Sequence, residues 1–218
     1  MPPRKASPEA PAHARRTQQE RREETRRRLL DATIAVLVEQ GYARLTTVEV
    51  AKRAGVSQGA VFTHFDTKAE LLVAAVEHLF PRLIQDYLAG YAGLPGGRDR
   101  IGAAVEMLWA VFERPEMLAA VELYVAARTE PELQAALATV EGPHRDNLLR
   151  VARGLFPEAA EYPDFEAVVE LVIDAVQGGA IARVARPHHP ALPRMRQVLV
   201  RFVHRSFTRH RQHQRIRP

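Results

Sequence analysis

Cysteine is absent from the 218 residues. That removes disulfides, thiolate nucleophiles and thiolate metal sites, and it fits a reducing compartment. No stretch approaches the run of about eighteen apolar residues that a spanning helix needs, so no membrane partner is expected. The opening MPPRKASPEAPAHARR lacks the apolar centre of a secretory signal, and a cytoplasmic location is expected. Alternating strand patterns, internal repeats and heptads are also missing. There is no G-x-S-x-G, no phosphate-binding glycine loop and no H-E-x-x-H, so neither an enzyme nor a cofactor is expected. His188 and His189 lie between Pro187 and Pro190, and His204, His210 and His213 lie in or beside a basic tail. None has an acidic or thiol partner at metal-binding spacing.

Acidic residues are missing from one end. Residues 194–218 carry eight arginines and no acid, whereas residues 69–193 carry eighteen acids against ten bases. Residues 1–28 are again basic, with nine Arg or Lys against four acids, and the net charge is +5. An acidic body with basic ends is oriented by a polyanion, which makes double-stranded DNA the expected macromolecular partner.

What is present is organised around TTVEVAKRAGVSQGAVFTHF, residues Thr46 to Phe65. Thr46 with Glu49 three residues later forms a capping box, and Val50, Ala51 and Ala54 share a helical face. Gly55 supplies a left-handed residue that ends the helix, and Ser57 caps a second helix whose Val61 and Phe65 point inward. Two short helices with a fixed tight turn make a helix-turn-helix. Before it, a helix from about Arg21 carries Leu30, Ile34, Leu37 and Val38 and stops at Gly41. Arg26, Arg27 and Arg28 lie in its first turns, where a basic cluster opposes the helix dipole and hints at an anionic partner.

Thr67 and Glu70 form another capping box, opening a long helix in which Pro81 predicts a kink or break. GYAGLPGG, from Gly90 to Gly97, reads as a loop. Helices follow near Asp99 to Glu113, Pro115 to Arg128, Pro131 to Glu141, Pro143 to Phe156, Asp164 to Arg186 and Leu192 to Phe207. The expected fold class is all-α, a helical bundle that carries the helix-turn-helix at its N-terminal end. The expected divisions are a disordered basic arm at 1–20, the DNA-binding domain at 21–68, the helical domain at 69–209 and a basic tail at 210–218.

The helix from Phe165 is apolar nearly all round, so it needs cover on several sides. A homodimer seam is expected from Val169, Ile173 and Val176 with Met195, Val198, Leu199 and Phe202 of the last helix, the glycines at 178 and 179 allowing close approach. Met107, Leu108, Trp109, Phe112, Leu123 and Tyr124 cluster aromatic and soft side chains on adjacent helices, as an apolar ligand would require. Glu122, Arg128, His144, Asn147, Asp174 and Gln177 are the candidate polar anchors, and the sequence does not choose among them.

TRRRLLDA and EQGYARLTTVEVAKRAGVSQGAVFTHFDTKAELL, within Thr25 to Leu72, resemble the N-terminal domain of the TetR family of one-component bacterial transcriptional regulators. The resemblance implies an N-terminal three-helix helix-turn-helix DNA-binding domain, a C-terminal helical effector-binding and dimerisation bundle, and a repressor that binds DNA as a dimer and is released when a small-molecule effector enters that bundle. It makes Thr47, His64 and Lys68 phosphate contacts, with Thr46 at the same helix start, and the segment Ser57 to Phe65 the reading helix. On that helix Gln58 suits adenine, Thr63 or Ala60 suits a thymine methyl, and Gly59 lies beside them. Phe62 stands where the family commonly has tyrosine, which leaves packing or base-methyl contact and no phenolic hydrogen bond. The alternative is a nonspecific DNA-binding architectural or interaction protein without an effector.

Overall fold

The computed structural model describes residues 17–97 and 99–214, those after 207 by backbone alone. Among them are nine α-helices and no strand. The helices are α1 Gln18–Gln40, α2 Thr47–Ala54, α3 Gln58–His64, α4 Lys68–Ala92, α5 Arg100–Phe112, α6 Pro115–Ala127, α7 Pro131–Leu155, α8 Phe165–Ala185 and α9 Ala191–Gln214. Single 3-10 turns span Tyr42–Arg44 and Ala159–Glu161.

Helix α1 starts three residues earlier than its apolar periodicity predicts. Thr17 Oγ1 accepts from the Glu20 N–H at 3.2 Å, and the Glu20 carboxylate accepts from the Thr17 N–H at 2.7 Å. This reciprocal box holds a first turn with no apolar residue to mark it. The end of the expected arm is therefore helical; residues 1–16 lie outside the described residues. At the other end, α9 runs on to Gln214 through the expected tail, of which 215–218 lie outside the described residues.

Helix α1 packs on α2 and α4, burying Leu29, Val36, Leu45, Val50, Val61 and Phe65 in a small head. At the turn, Gly55 adopts φ +66°, ψ 41° and its N–H reaches the carbonyls of Ala51 and Lys52, while the Val56 N–H bonds Ala51 at 3.0 Å. A side chain at that φ would strain the turn.

Neither internal proline interrupts its helix. Pro81 and Pro143 are both exposed, so the carbonyls they leave unpaired face water. Buried Leu79, Phe80 and Leu83 hold α4 across the first, and Val140 anchors α7 before the second. The two segments predicted around Pro143 are thus one helix of 25 residues.

Helices α4, α5, α7, α8 and α9 form the body, with α6 bridging α1 and α7. Helix α8 has apolar residues on more than one side because it meets different things on each, while Glu166, Glu170 and Asp174 form a charged face paired with Arg153 and Arg145 of α7. Val168, Val172 and Ile173 face inward, Gly179 backs onto Trp109, and Leu171 and Ile181 face out. The residues expected to form a homodimer seam divide between the inside and the outside of the chain. Ile173 and Val176 are buried within the chain and Val169 is half-buried against its interior, whereas Met195, Val198 and Phe202 of α9 are exposed, with Leu199 half-buried beside them. The outward apolar face of α8 is therefore Leu171, Gly178 and Ile181, one helical face round from the predicted one.

Candidate nucleic-acid interface and effector cavity

On α3, Ser57 Oγ accepts from the Ala60 N–H at 3.3 Å, and Val61 and Phe65 anchor the helix in the head. What remains outside is Gln58, Gly59, Phe62 and Thr63, with Ala60 and His64 half-buried. Thr63 donates its hydroxyl to the Gly59 carbonyl at 3.0 Å, which leaves its methyl and lone pairs outward. Phe62 is 49% exposed, an unusual surface position for a ring. Thr46 caps α2 by accepting from the Glu49 N–H at 3.2 Å, while the Glu49 carboxylate lies 4.0 Å from Lys52 Nζ. Thr47, first in α2, is half-buried. The predicted reading and positioning residues thus lie on one headpiece, with its packed core behind them.

Three consecutive arginines take three separate positions because successive helical residues point about 100° apart. Arg26 places its guanidinium carbon 5.3 Å from the centre of the Phe65 ring, beside the end of α3. Arg27 pairs with Glu24 at 2.8 Å and Asp31 at 3.2 Å. Asp31 in turn holds His78 at 3.0 Å and Arg82 at 2.9 Å, so Arg27 belongs to an ion cluster between α1 and α4. Arg28 donates to the Ala54 and Gly55 carbonyls and closes the C-terminal end of α2. The sequence reading misses Arg22, which stands with Arg26 near His64; the four-residue spacing of the two arginines marks their common face. Burial, then Arg22 and Arg26, lower the His64 pKa below its ordinary 6.5.

Lys68, first in α4, lies 4.5 Å over the Tyr42 ring. Tyr42 joins head to body: its N–H donates to Glu122 of α6 at 3.0 Å and its hydroxyl donates to Glu130. Burial, then that bond, raises the phenol's pKa.

Within the body is a cavity of about 130 Å³. Each wall is a helical stripe: Phe80, Leu83, Ile84 and Tyr87 of α4; Ile101, Ala104, Val105, Leu108, Val111 and Phe112 of α5; His144, Leu148, Val151, Ala152 and Leu155 of α7. Val168, Val169, Val172 and Ile173 of α8 and Val203 and Phe207 of α9 complete it, with Met117 and Phe156.

Of the predicted effector contacts, Phe112 and Leu108 line this cavity. Met107 and Trp109 sit one residue to either side of Leu108 and so turn away from it. Met107 reaches toward Gly90, while Trp109 is buried against Gly179 and donates its indole N–H to Glu113 at 2.8 Å. Leu123 is plain core, Tyr124 donates to Glu141 at 2.8 Å, Asp174 is held by Arg145 at 3.1 Å, and Gln177 is half-buried outside the lining. Of the six polar anchors, His144 alone lines the cavity. Its ring stacks on Phe80 with centroids 3.9 Å apart, and burial lowers its pKa.

Among the described residues no group of His, Asp or Glu could hold a metal, and His189 instead accepts from the Ala191 N–H at 3.2 Å, at the start of α9. No helix is long and apolar enough to cross a membrane among the described residues.

A helix-turn-helix head on a helical body with an apolar cavity defines a DNA-binding regulator. The chain matches the bacterial regulatory proteins, tetR family, over residues 29–75 and the tetracyclin repressor-like C-terminal domain over residues 96–209. It belongs to the TetR family of transcriptional regulators. It is 37% identical over 174 residues to the uncharacterised HTH-type transcriptional regulator Rv2912c of Mycobacterium tuberculosis, covering 79% of this chain and 89% of that one. A transcriptional regulator from Rhodococcus sp. Rha1 superposes with a TM-score of 0.62 at 27% identity, over 81% of this chain and 94% of the other. The multidrug binding protein EbrR, solved with ethidium, shares the fold at 24% identity and a TM-score of 0.61, over 82% and 97%.

Proposed function

We propose that this chain is a repressor, not an enzyme. It acts in the cytoplasm, occupies a near-palindromic operator as a homodimer, and is released when a small, largely apolar effector enters the cavity. The observation that carries this reading is the course of α4. Its first residue, Lys68, follows the reading helix directly, and Phe80, about 18 Å along the axis at 1.5 Å per residue, forms part of the cavity wall. One rigid element thus touches both sites, and a ligand that displaces Phe80 moves the head. The outward apolar face of Leu171, Ile181, Met195, Val198 and Phe202 supports pairing with a second copy, which would present two heads to two half-sites on one side of the duplex.

The contacts proposed are Gln58, Ala60, Phe62 and Thr63 to base edges, Gly59 by close approach of its backbone, and Arg26, Thr47, His64 and Lys68 to phosphates, with Thr46 fixing the start of α2. Arg27 contributes through its ion cluster. The test is selection of bound duplexes from a random pool at near-physiological salt. An enriched palindrome supports the reading, whereas salt-sensitive binding without enrichment favours the nonspecific alternative. On the selected site, Gln58→Ala changes sequence preference and Lys68→Ala weakens all sequences alike. Equal losses on every sequence for both variants would remove Gln58 from the reading set.

A further inference from the structure

We propose that the effector is a neutral, compact molecule about the size of one substituted aromatic ring with a single hydrogen-bonding group, and that His144 reads that group. This rests on the reading above that the cavity takes the effector.

Size comes first. A cavity of about 130 Å³ is close to the engineered apolar cavity of about 150 Å³ that stays dry and takes benzene. One ring with small substituents matches that volume, which a fused polycycle exceeds.

Charge comes second. Among the described residues no Asp, Glu, Lys or Arg lines the cavity. A cation or carboxylate entering it would shed its hydration with no counter-ion in return. The charges nearest His144 are its helix neighbours Glu141 and Arg145, and these are tied to each other. Arg145 pairs with Glu141 at 3.2 Å, Glu170 at 2.6 Å and Asp174 at 3.1 Å, and Tyr124 donates to Glu141. They form a closed cluster outside the lining.

The polar group comes third. Tyr87 donates its hydroxyl to the Ala104 carbonyl at 3.3 Å, so its one proton is already engaged. His144 lies with a face on Phe80, which leaves its edge, where both nitrogens sit, for other contacts. Among the described residues neither nitrogen makes a hydrogen bond. A neutral imidazole offers one donor and one acceptor, so it suits a hydroxyl or a carbonyl equally. Because its stacking partner is Phe80, the residue that recognises the ligand touches α4 directly.

The experiment uses the full chain and four probes sharing one ring: toluene, p-cresol, p-toluate and p-tolyltrimethylammonium. Affinities come from titration calorimetry and Tm from scanning calorimetry, for wild type and His144→Leu. Toluene and p-cresol should bind and raise Tm by about 5 °C or more at hundredfold excess over Kd, with both ions roughly a hundredfold weaker. His144→Leu should weaken p-cresol about tenfold relative to toluene. That ratio is taken within one protein and so cancels any loss of stability, and the charge preference of wild type decides independently should the variant fail to fold. Binding of either ion as tightly as the neutral rings, no binding of the neutral rings, or an unchanged ratio would overturn the proposal. If the rings bind as expected but leave DNA affinity unaltered, the ligand class stands and the effector reading fails. If they do not bind and another small molecule releases the DNA, the effector reading stands and the ligand class fails.

Discussion

Arg26 and Arg28 are two residues apart with the same chemistry, yet their surroundings assign them different work. Arg26→Ala should weaken DNA binding on every sequence and reduce the slope of log affinity against log salt by about one, because the phosphate contact proposed for it releases a counterion whatever the base. Arg28→Ala removes the donors that satisfy the last carbonyls of α2, so it should lower stability by about 1 kcal/mol. Chemical denaturation and salt titrations of both variants check this; a salt slope altered by Arg28→Ala as much as by Arg26→Ala would merge the two roles. Gly179 is a case of close approach. A Cβ there would lie 2.6 Å from Trp109 Cη2, and the indole is buried and held through its N–H by Glu113. Gly179→Ala should therefore cost about 1–3 kcal/mol, read by denaturation with tryptophan fluorescence. Wild-type stability in that variant would mean that the indole can withdraw.

At the scale of elements, the head is the most legible part of the chain because local signals coincide there: a cap at Thr46, a left-handed glycine at 55, a cap at Ser57 and two apolar anchors four residues apart. The body is less legible for identifiable reasons. Pro143 ordinarily ends a helix, but its solvent-facing position and the buried Val140 one turn before it let α7 continue. Periodicity shows that Phe112 and Trp109 are both inward without showing which faces a void, since a void is made by what several helices leave unfilled between them. The tie between head and body is invisible in the sequence, because Glu122 and Tyr42 are joined only by tertiary packing. There the Glu122 carboxylate accepts the Tyr42 N–H. Glu122→Ala should speed amide exchange at Tyr42 while lowering Tm by no more than about 4 °C, since a local opening leaves the cores intact. Unchanged protection at Tyr42 would show that this bond does not hold the turn.

For the whole molecule, protons are expected to couple folding and the DNA contact proposed for His64 with opposite signs. His64 and His144 are both held below 6.5 in the folded chain, chiefly by burial, with Arg22 and Arg26 adding to the effect at His64. At His144, Glu141 works against the shift and Arg145 with it. As pH falls through 6.5 the unfolded chain takes up these protons before the folded one does, so stability declines from there toward the lower folded values. Asp99 and Glu113 are also held low. Burial pulls each the other way, but hydrogen bonds from Gly102 and His204 to Asp99, and from Arg183 and Arg196 to Glu113, prevail. Their contribution is lost only as pH falls below their ordinary values of 3.8 and 4.5 toward the lower folded ones, outside a scan from about pH 7.5 to 5.5. Tm should therefore fall across that scan. DNA affinity at constant salt should rise across it, because a phosphate beside His64 favours the charged imidazole and raises its pKa in the complex. His64→Gln should flatten the DNA profile and leave the His144 part of the stability profile in place. A variant whose affinity still climbs in acid as steeply as wild type would remove His64 from the phosphate contacts.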